Sequence, residues 1–168
     1  MPQHKGMKRL WSPWRIEYIK NIQKEKGCIF CKAYKSKKDA KCFVVKRMKH
    51  CFCLLNIYPY NNGHVMIAPN RHVNDIDKLT VVERNGILSL TIEIQKALKK
   101  ILRPNGFNIG MNIGDVAGAG IKEHIHMHIV PRWNGDTNFM PTLSDTKVIS
   151  QSLEELYESL RNVIARRV

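Results

Sequence analysis

Five short stretches of the chain are apolar, or alternate apolar with polar, and are bounded by Pro, Gly or Asn. They are residues 42–47 (CFVVKR), 51–57 (CFCLLNI), 64–68 (HVMIA), 106–113 (GFNIGMNI) and 124–130 (HIHMHIV). Runs of this length and spacing predict β-strands. YPYNNG, residues 58–63, reads as the loop of a hairpin joining two of them. The period then changes. Downstream of Thr80, apolar residues recur at helical spacing through Leu102, Thr80 and Glu83 form a capping box, and Pro104 is a stop, so one long helix is expected. Residues 149–165 carry Leu153, Leu156, Leu160 and Ile164 on one stripe and predict a second helix whose role is packing. The pattern implies an α+β fold, an antiparallel sheet with one long and one C-terminal helix packed against it.

Length adds that 168 residues make one domain's worth of core, and residues 1–168 are expected to form a single domain. No apolar run approaches the ~20 residues that span a bilayer. The basic start, MPQHKGMKRLWSPWR, lacks the apolar segment of a secretory signal, so a soluble cytoplasmic protein is expected. Lys and Arg outnumber Asp and Glu by 28 to 14, a net charge of +14 that favours polyanionic partners. The cations are spread along the chain, densest at 32–49 and at the ends. They permit nucleic acid as a partner without selecting it over a small nucleotide. Five cysteines, an odd number in an expected cytoplasmic protein, read as reduced thiols or metal ligands rather than disulfides.

The chemistry concentrates in HIHMHIV. A strand period of two sends His124, His126 and His128 to one face and Ile125, Met127 and Ile129 to the core. Three imidazoles in strict alternation suit either a metal site or a phosphate site in which one ring is a nucleophile and another a donor. The preceding GDVAGAGIKEH favours phosphate, because Gly114, Gly118 and Gly120 let backbone amides approach an anion closely. Cys28 and Cys31 have the spacing of a zinc half-site and need two further ligands.

The sequence resembles the histidine triad (HIT) family, whose signature His-x-His-x-His followed by two apolar residues stands here at His124 to Val130. Resemblance extends to CIFC at 28–31, NIYPYNNGHVMIAPNRH at 56–72 and NIGDVAGAGIKEHIHMHIVPRWNGDTNFMP at 112–141, a core of about residues 28–141 after a basic N-terminal extension. LWSPWR and PRWNGDTNFMP are similar to the family's diadenosine tetraphosphate phosphorylase (ATP adenylyltransferase) branch. The resemblance implies cleavage of dinucleoside polyphosphates through a covalent nucleotidyl-histidine, with His126 as nucleophile and His128 holding the phosphate or leaving oxygen. It places His64 near the phosphates, Asn56 at the ribose hydroxyls, and Asn112 with the amides around Gly118 and Gly120 at the phosphates. The base is expected among Ile29, Phe30, Leu54 and Ile57, which are equally readable as core. A homodimer is also implied.

One departure stands out: AGAGIKEH replaces the Gly-Gln-Ser or Gly-Gln-Thr that many members carry before the triad, so a side-chain phosphate contact is missing or taken over by backbone. Some bacterial relatives close the Cys-x-x-Cys site with two histidines, which by position are His72 and His124, giving a closed structural zinc site. Rival readings are Cys42, Cys51 and Cys53 in place of the histidines, or no metal. Two other function classes stay open, a nucleoside phosphoramidase of this family and a non-catalytic nucleotide- or nucleic-acid-binding module. Water and phosphate both stand as acceptors of the nucleotide.

Overall fold

The computed structural model describes residues 27–137, 149 and 151–166. The basic N-terminal stretch with LWSPWR, and residues 138–141 of the motif after the triad, lie outside them. The chain divides into two compact units, Met1–Glu25 with Gly135–Val148 and Lys26–Asn134 with Ile149–Val168. Every element below belongs to the second.

Its five strands are β1 (Val44–Arg47), β2 (Cys51–Leu55), β3 (Val65–Pro69), β4 (Gly106–Met111) and β5 (Met127–Arg132), in the order β1-β2-β3-β5-β4 and antiparallel throughout. The helices are α1 (Ile29–Lys35), α2 (Val81–Leu102) and α3 (Leu153–Ala165). Alternation along β2 divides the core. Cys51, Cys53 and Leu55 join Val65, Ile67, Ile125 and Ile129 beneath α2 and α3. Phe52 and Leu54 face the other way, with Val44, Met66 and Ala68, onto Phe30 and Ala33 of α1. Strands buried on both faces read as continuous apolar runs, which is why CFCLL and VMIAP show no polar alternation.

The long helix begins and ends where its signals stand. The Thr80 side chain accepts from the Glu83 N–H, the Glu83 carboxylate accepts from the Thr80 N–H at 2.8 Å, and Arg103 turns left-handed (φ 47°) before Pro104. The C-terminal helix starts at Leu153 rather than 149, because the Ser152 hydroxyl accepts the Glu155 N–H at 3.2 Å and caps it there. Helix α1 has no counterpart in the periodicity: seven residues carry just two buried positions, Phe30 and Ala33, too few for an apolar stripe. Its last turn is held from outside, by Arg47 donating to the carbonyls of Ala33, Tyr34 and Ser36 and to Asp39 at 2.7–2.9 Å.

Strand β5 is displaced from the expected 124–130. Continuing the Ile67↔Met127 register would set Ile125 opposite Pro69, which has no N–H, and the Ile125 N–H instead donates to Val73 O at 2.7 Å. At the other end Pro131 is tolerated because the last β3 pair is Val65↔Ile129; beyond it the Asn61 side chain takes the Pro131 carbonyl at 3.1 Å. The division of faces survives: Ile125 and Ile129 lie in the core beneath α2 and α3, whereas the three histidines turn to the side of α1.

Candidate active site and metal centre

The three imidazoles run along β3, from Pro69 at one end to His64 at the other, and hydrogen bonds to backbone carbonyls or to the His64 ring fix the proton on each. At the first end the His124 ring, fully buried, lies with Nε2 2.9 Å from the Pro69 carbonyl. A carbonyl only accepts, so the proton is on Nε2 and the Nδ1 lone pair faces Cys28 Sγ at 3.3 Å and Cys31 Sγ at 3.6 Å. His72 Nδ1 is 3.3 Å from Cys31 Sγ. The four donor atoms of Cys28, Cys31, His72 and His124 all lie within 4.8 Å of one another. A tetrahedral zinc with bonds of ~2.0–2.3 Å sets its donors ~3.3–3.8 Å apart, so the thiols and imidazoles present fit such an ion. The carbonyl behind His124 is the kind of outer contact that orients a ligating imidazole. Burial lowers His124 to about 4 and so keeps its ring neutral, as a ligand must be; burial, with the Cys31 thiol alongside, raises the Cys28 pKa, which a divalent cation would reverse.

Two residues on, His126 Nδ1 lies 2.9 Å from the His124 carbonyl. The same reasoning puts the proton on Nδ1 and leaves Nε2 with its lone pair. Phe30 packs on the ring at 4.7 Å between centroids, and burial lowers its pKa against the opposing pull of that carbonyl. A neutral imidazole with one nitrogen pinned is a nucleophile aimed in one direction.

At the far end, the Tyr60 N–H (3.0 Å) and Asn56 Nδ2 (3.2 Å) both point at His64 Nδ1, which therefore accepts. His64 carries its proton on Nε2 and donates it to His128 Nδ1 at 2.9 Å, so the proton of His128 sits on Nε2. His126 and His128 are 4.6 Å apart, edge to face, one ending in a lone pair and the other in a donor. Burial first, then the neighbouring His128 and His126, push the His64 pKa down to about 3.

The remaining expected residues fall less evenly. Asn56 uses its Oδ1 to accept the Tyr58 N–H at 2.9 Å and its Nδ2 on His64, so both ends of the amide serve the hairpin. Phe30 and Leu54 lie in one core cluster with Ile29 at its margin, whereas Ile57 is 51% exposed. In the loop after β4, Asn112 Nδ2 donates to the Gly118 carbonyl at 3.3 Å and the Gly118 N–H donates to Asp115 O at 3.0 Å. These groups close the loop upon itself, and Gly120 is exposed. Cys51 and Cys53 are buried beneath the helices, away from the α1 face where Cys28 packs. The residues that sequence reasoning missed are backbone ones, the Pro69 and His124 carbonyls and the Tyr60 amide, together with the Tyr60 ring; a side-chain pattern carries no sign of the first three.

The family profile described as "HIT domain" matches residues 37–135. A Mycobacterium tuberculosis protein named AP-4-A phosphorylase is 35% identical over 98% of this chain and 88% of its own length. A zinc-bound histidine triad family protein from Mycobacterium smegmatis superposes with a TM-score of 0.67 at 26% identity, covering 84% of this chain and 95% of that one. A histidine triad nucleotide-binding protein from Sulfolobus tokodaii shares the fold, with a TM-score of 0.64 at 21% identity over 83% and 93% of the two chains.

Acid should expose the buried His64. The unfolded chain binds a proton there near pH 6.5 and the folded one only near 3, so His64's contribution is complete above pH 6.5 and is lost as pH falls toward 3. Between pH 7 and 5 this amounts to roughly 2 kcal/mol of unfolding free energy at ~1.4 kcal/mol per unit. Urea titrations should show that loss shrink by about this amount in His64→Gln; equal losses in the two proteins would contradict the assignment. With the triad, the sheet and the profile match in agreement, this chain belongs to the histidine triad (HIT) family.

Proposed function

We propose that the protein cleaves dinucleoside polyphosphates by nucleotidyl transfer through His126. The observation that carries this reading is the His126 Nδ1 bond to the His124 carbonyl, which leaves Nε2 as the nucleophilic nitrogen beside the donor of His128. The Nε2 lone pair forms a bond to the α-phosphorus as the bond from that phosphorus to the bridging oxygen breaks. The departing phosphate oxygen leaves as an anion with the electron pair of that bond, and the His128 Nε2–H, oriented by the His64 bond to Nδ1, donates a hydrogen bond to it. Phosphate or water then attacks the phosphorus of the nucleotidyl-histidine, the phosphorus–nitrogen bond breaks and returns its electron pair to His126 Nε2, and any proton of the acceptor passes to solvent. The name of the mycobacterial relative, aligned over nearly the whole chain, supports phosphate as the acceptor.

Zinc at Cys28, Cys31, His72 and His124 is the second part of the reading, supported by the donor spacing and by the zinc-bound neighbour. When bound it supplies structural cross-linking. The chain's residues do the rest: Cys31 and Phe30 share one turn of α1, so holding the cysteines presses the Phe30 ring onto the nucleophile. Reduced thiols as ligands suit the cytoplasm. The exposed β4 edge at Asn108, Ile109 and Gly110 supports a homodimer that continues the sheet. Among the described residues no helix is long and apolar enough to cross a membrane.

Two outcomes follow. His126→Gly should lower turnover of diadenosine tetraphosphate by several orders of magnitude while ground-state binding stays close to the parent's. Quenched assays with inorganic phosphate should give ADP and ATP; AMP and ATP in its presence would make water the acceptor, and turnover within tenfold of the parent would remove His126 from the role. As for the metal, Cys28→Ser and Cys31→Ser should each lose zinc and lower the melting temperature, whereas Cys42→Ser keeps about one zinc per chain, all read by elemental analysis and calorimetry. Zinc that survives the Cys28,Cys31 double substitution would place it elsewhere.

A further inference from the structure

Asn56 and His64 face each other at the mouth of the hairpin. The Asn56 N–H donates to the His64 carbonyl at 2.9 Å, just beyond the Leu55↔Val65 pair that ends the ladder of β2 and β3. Both residues are buried. The Tyr58 N–H, 2.9 Å from the Asn56 side chain, can only donate, so the amide oxygen faces Tyr58 and Nδ2 faces His64 Nδ1 at 3.2 Å. The bond to Tyr58, two residues on, is an Asx turn, which a carboxylate would form equally well. The contact with His64 needs the amide. There Asn56 Nδ2 joins the Tyr60 N–H, 3.0 Å away, and two donors converge on one lone pair. His64 therefore keeps its proton on Nε2 for His128 Nδ1, 2.9 Å further on, and His128 carries its own on Nε2.

Resting on the transfer reading above, we propose that Asn56 is a positioning residue: its amide, which a carboxylate could not replace, holds the His64 and His128 tautomers that present an N–H to the departing phosphate oxygen. An aspartate of the same shape would keep the bond to Tyr58 and put an anionic acceptor against His64 Nδ1. Burial first, then the neighbouring His128 and His126, push the His64 pKa down to about 3, so a second proton on the ring is disfavoured and the single one is drawn to the nitrogen beside the carboxylate. A charge-assisted bond there outweighs the neutral one from Tyr60. His64 Nε2 is then left with a lone pair. His128 shifts its proton to Nδ1 to meet it, and its Nε2 offers the departing oxygen no hydrogen. One atom changed at Asn56 thus removes a donor two rings away.

The test compares the parent with Asn56→Asp and Asn56→Ala at about pH 8, above the ordinary range of a histidine. Two-bond ¹⁵N–¹H spectra of histidine-labelled, metal-loaded protein should show His64 Nδ1 bare in the parent and in Asn56→Ala, where the Tyr60 N–H still holds it, and protonated in Asn56→Asp. The His128 proton should move from Nε2 to Nδ1 in Asn56→Asp alone. With diadenosine tetraphosphate and inorganic phosphate, kcat should fall about a hundred- to a thousandfold in Asn56→Asp, the loss expected for one donor to a developing oxyanion. In Asn56→Ala it should stay within about tenfold of the parent. A side chain that merely packs, or merely accepts from a ribose hydroxyl, would leave Asn56→Asp the more active of the two, and that order would overturn the proposal. So would a His64 Nδ1 that stays bare in Asn56→Asp, the variant that retains an acceptor for the Tyr58 N–H. A parent that transfers no nucleotide, with a His64 proton that nonetheless moves in Asn56→Asp, would refute the transfer reading and leave the control of the tautomers standing.

Discussion

Every property of the site depends on hydrogen bonds between imidazoles and backbone groups that cannot exchange roles. The Pro69 and His124 carbonyls can only accept and the Tyr60 amide can only donate, so they dictate the proton position on His124, His126 and His64, and through His64 on His128. The result is alternation: His124 offers Nδ1 to the thiols, His126 offers Nε2 outward, and His128 presents a donor beside it. An imidazole in water interconverts its tautomers; here each is selected by its hydrogen-bond partner, and burial lowers the pKa of His64, His124 and His126, which favours the neutral rings.

The period of two makes one short segment serve two ends. Ile125 and Ile129 anchor it in the core under α2 and α3, and between them the histidines reach from the cysteines of α1 to the hairpin that carries His64. Helix α1 is too short to hold itself in place. Its first turn meets His72 and His124 through the thiols, and its last turn is caught by the Arg47 fork, so Phe30 is fixed between two attachments. The Arg71 guanidinium acts comparably beside His72, gripping the Glu83 carboxylate of the α2 capping box at 2.8 and 2.9 Å.

Much of this was legible in the chain. The capping box at Thr80 and Glu83, the stop at Pro104 and the apolar stripe of α3 state their purpose locally, and the alternation from 124 to 129 assigns faces wherever one face is buried. The spacing of Cys28 and Cys31 shows half a metal site, and resemblance supplied His72 and His124, which the fold brings together. What could not be read depends on tertiary contact. The limits of β5 follow from where Pro69 falls in the register, α1 from Arg47 fourteen residues beyond Ala33, and the hairpin bonds of Asn56 from where Tyr58 and His64 come to lie. Backbone carbonyls leave no mark in a sequence, so the tautomers were beyond its reach.

Those tautomers can be observed directly. Two-bond ¹⁵N–¹H correlation spectra of histidine-labelled, metal-loaded protein at pH 7 distinguish protonated from unprotonated ring nitrogens. The account predicts His126 with its proton on Nδ1 and a bare Nε2, and His64, His128 and His124 with theirs on Nε2. A His126 ring protonated on Nε2, or on both nitrogens, would contradict it, since the nitrogen said to attack phosphorus would then carry a proton in place of its lone pair.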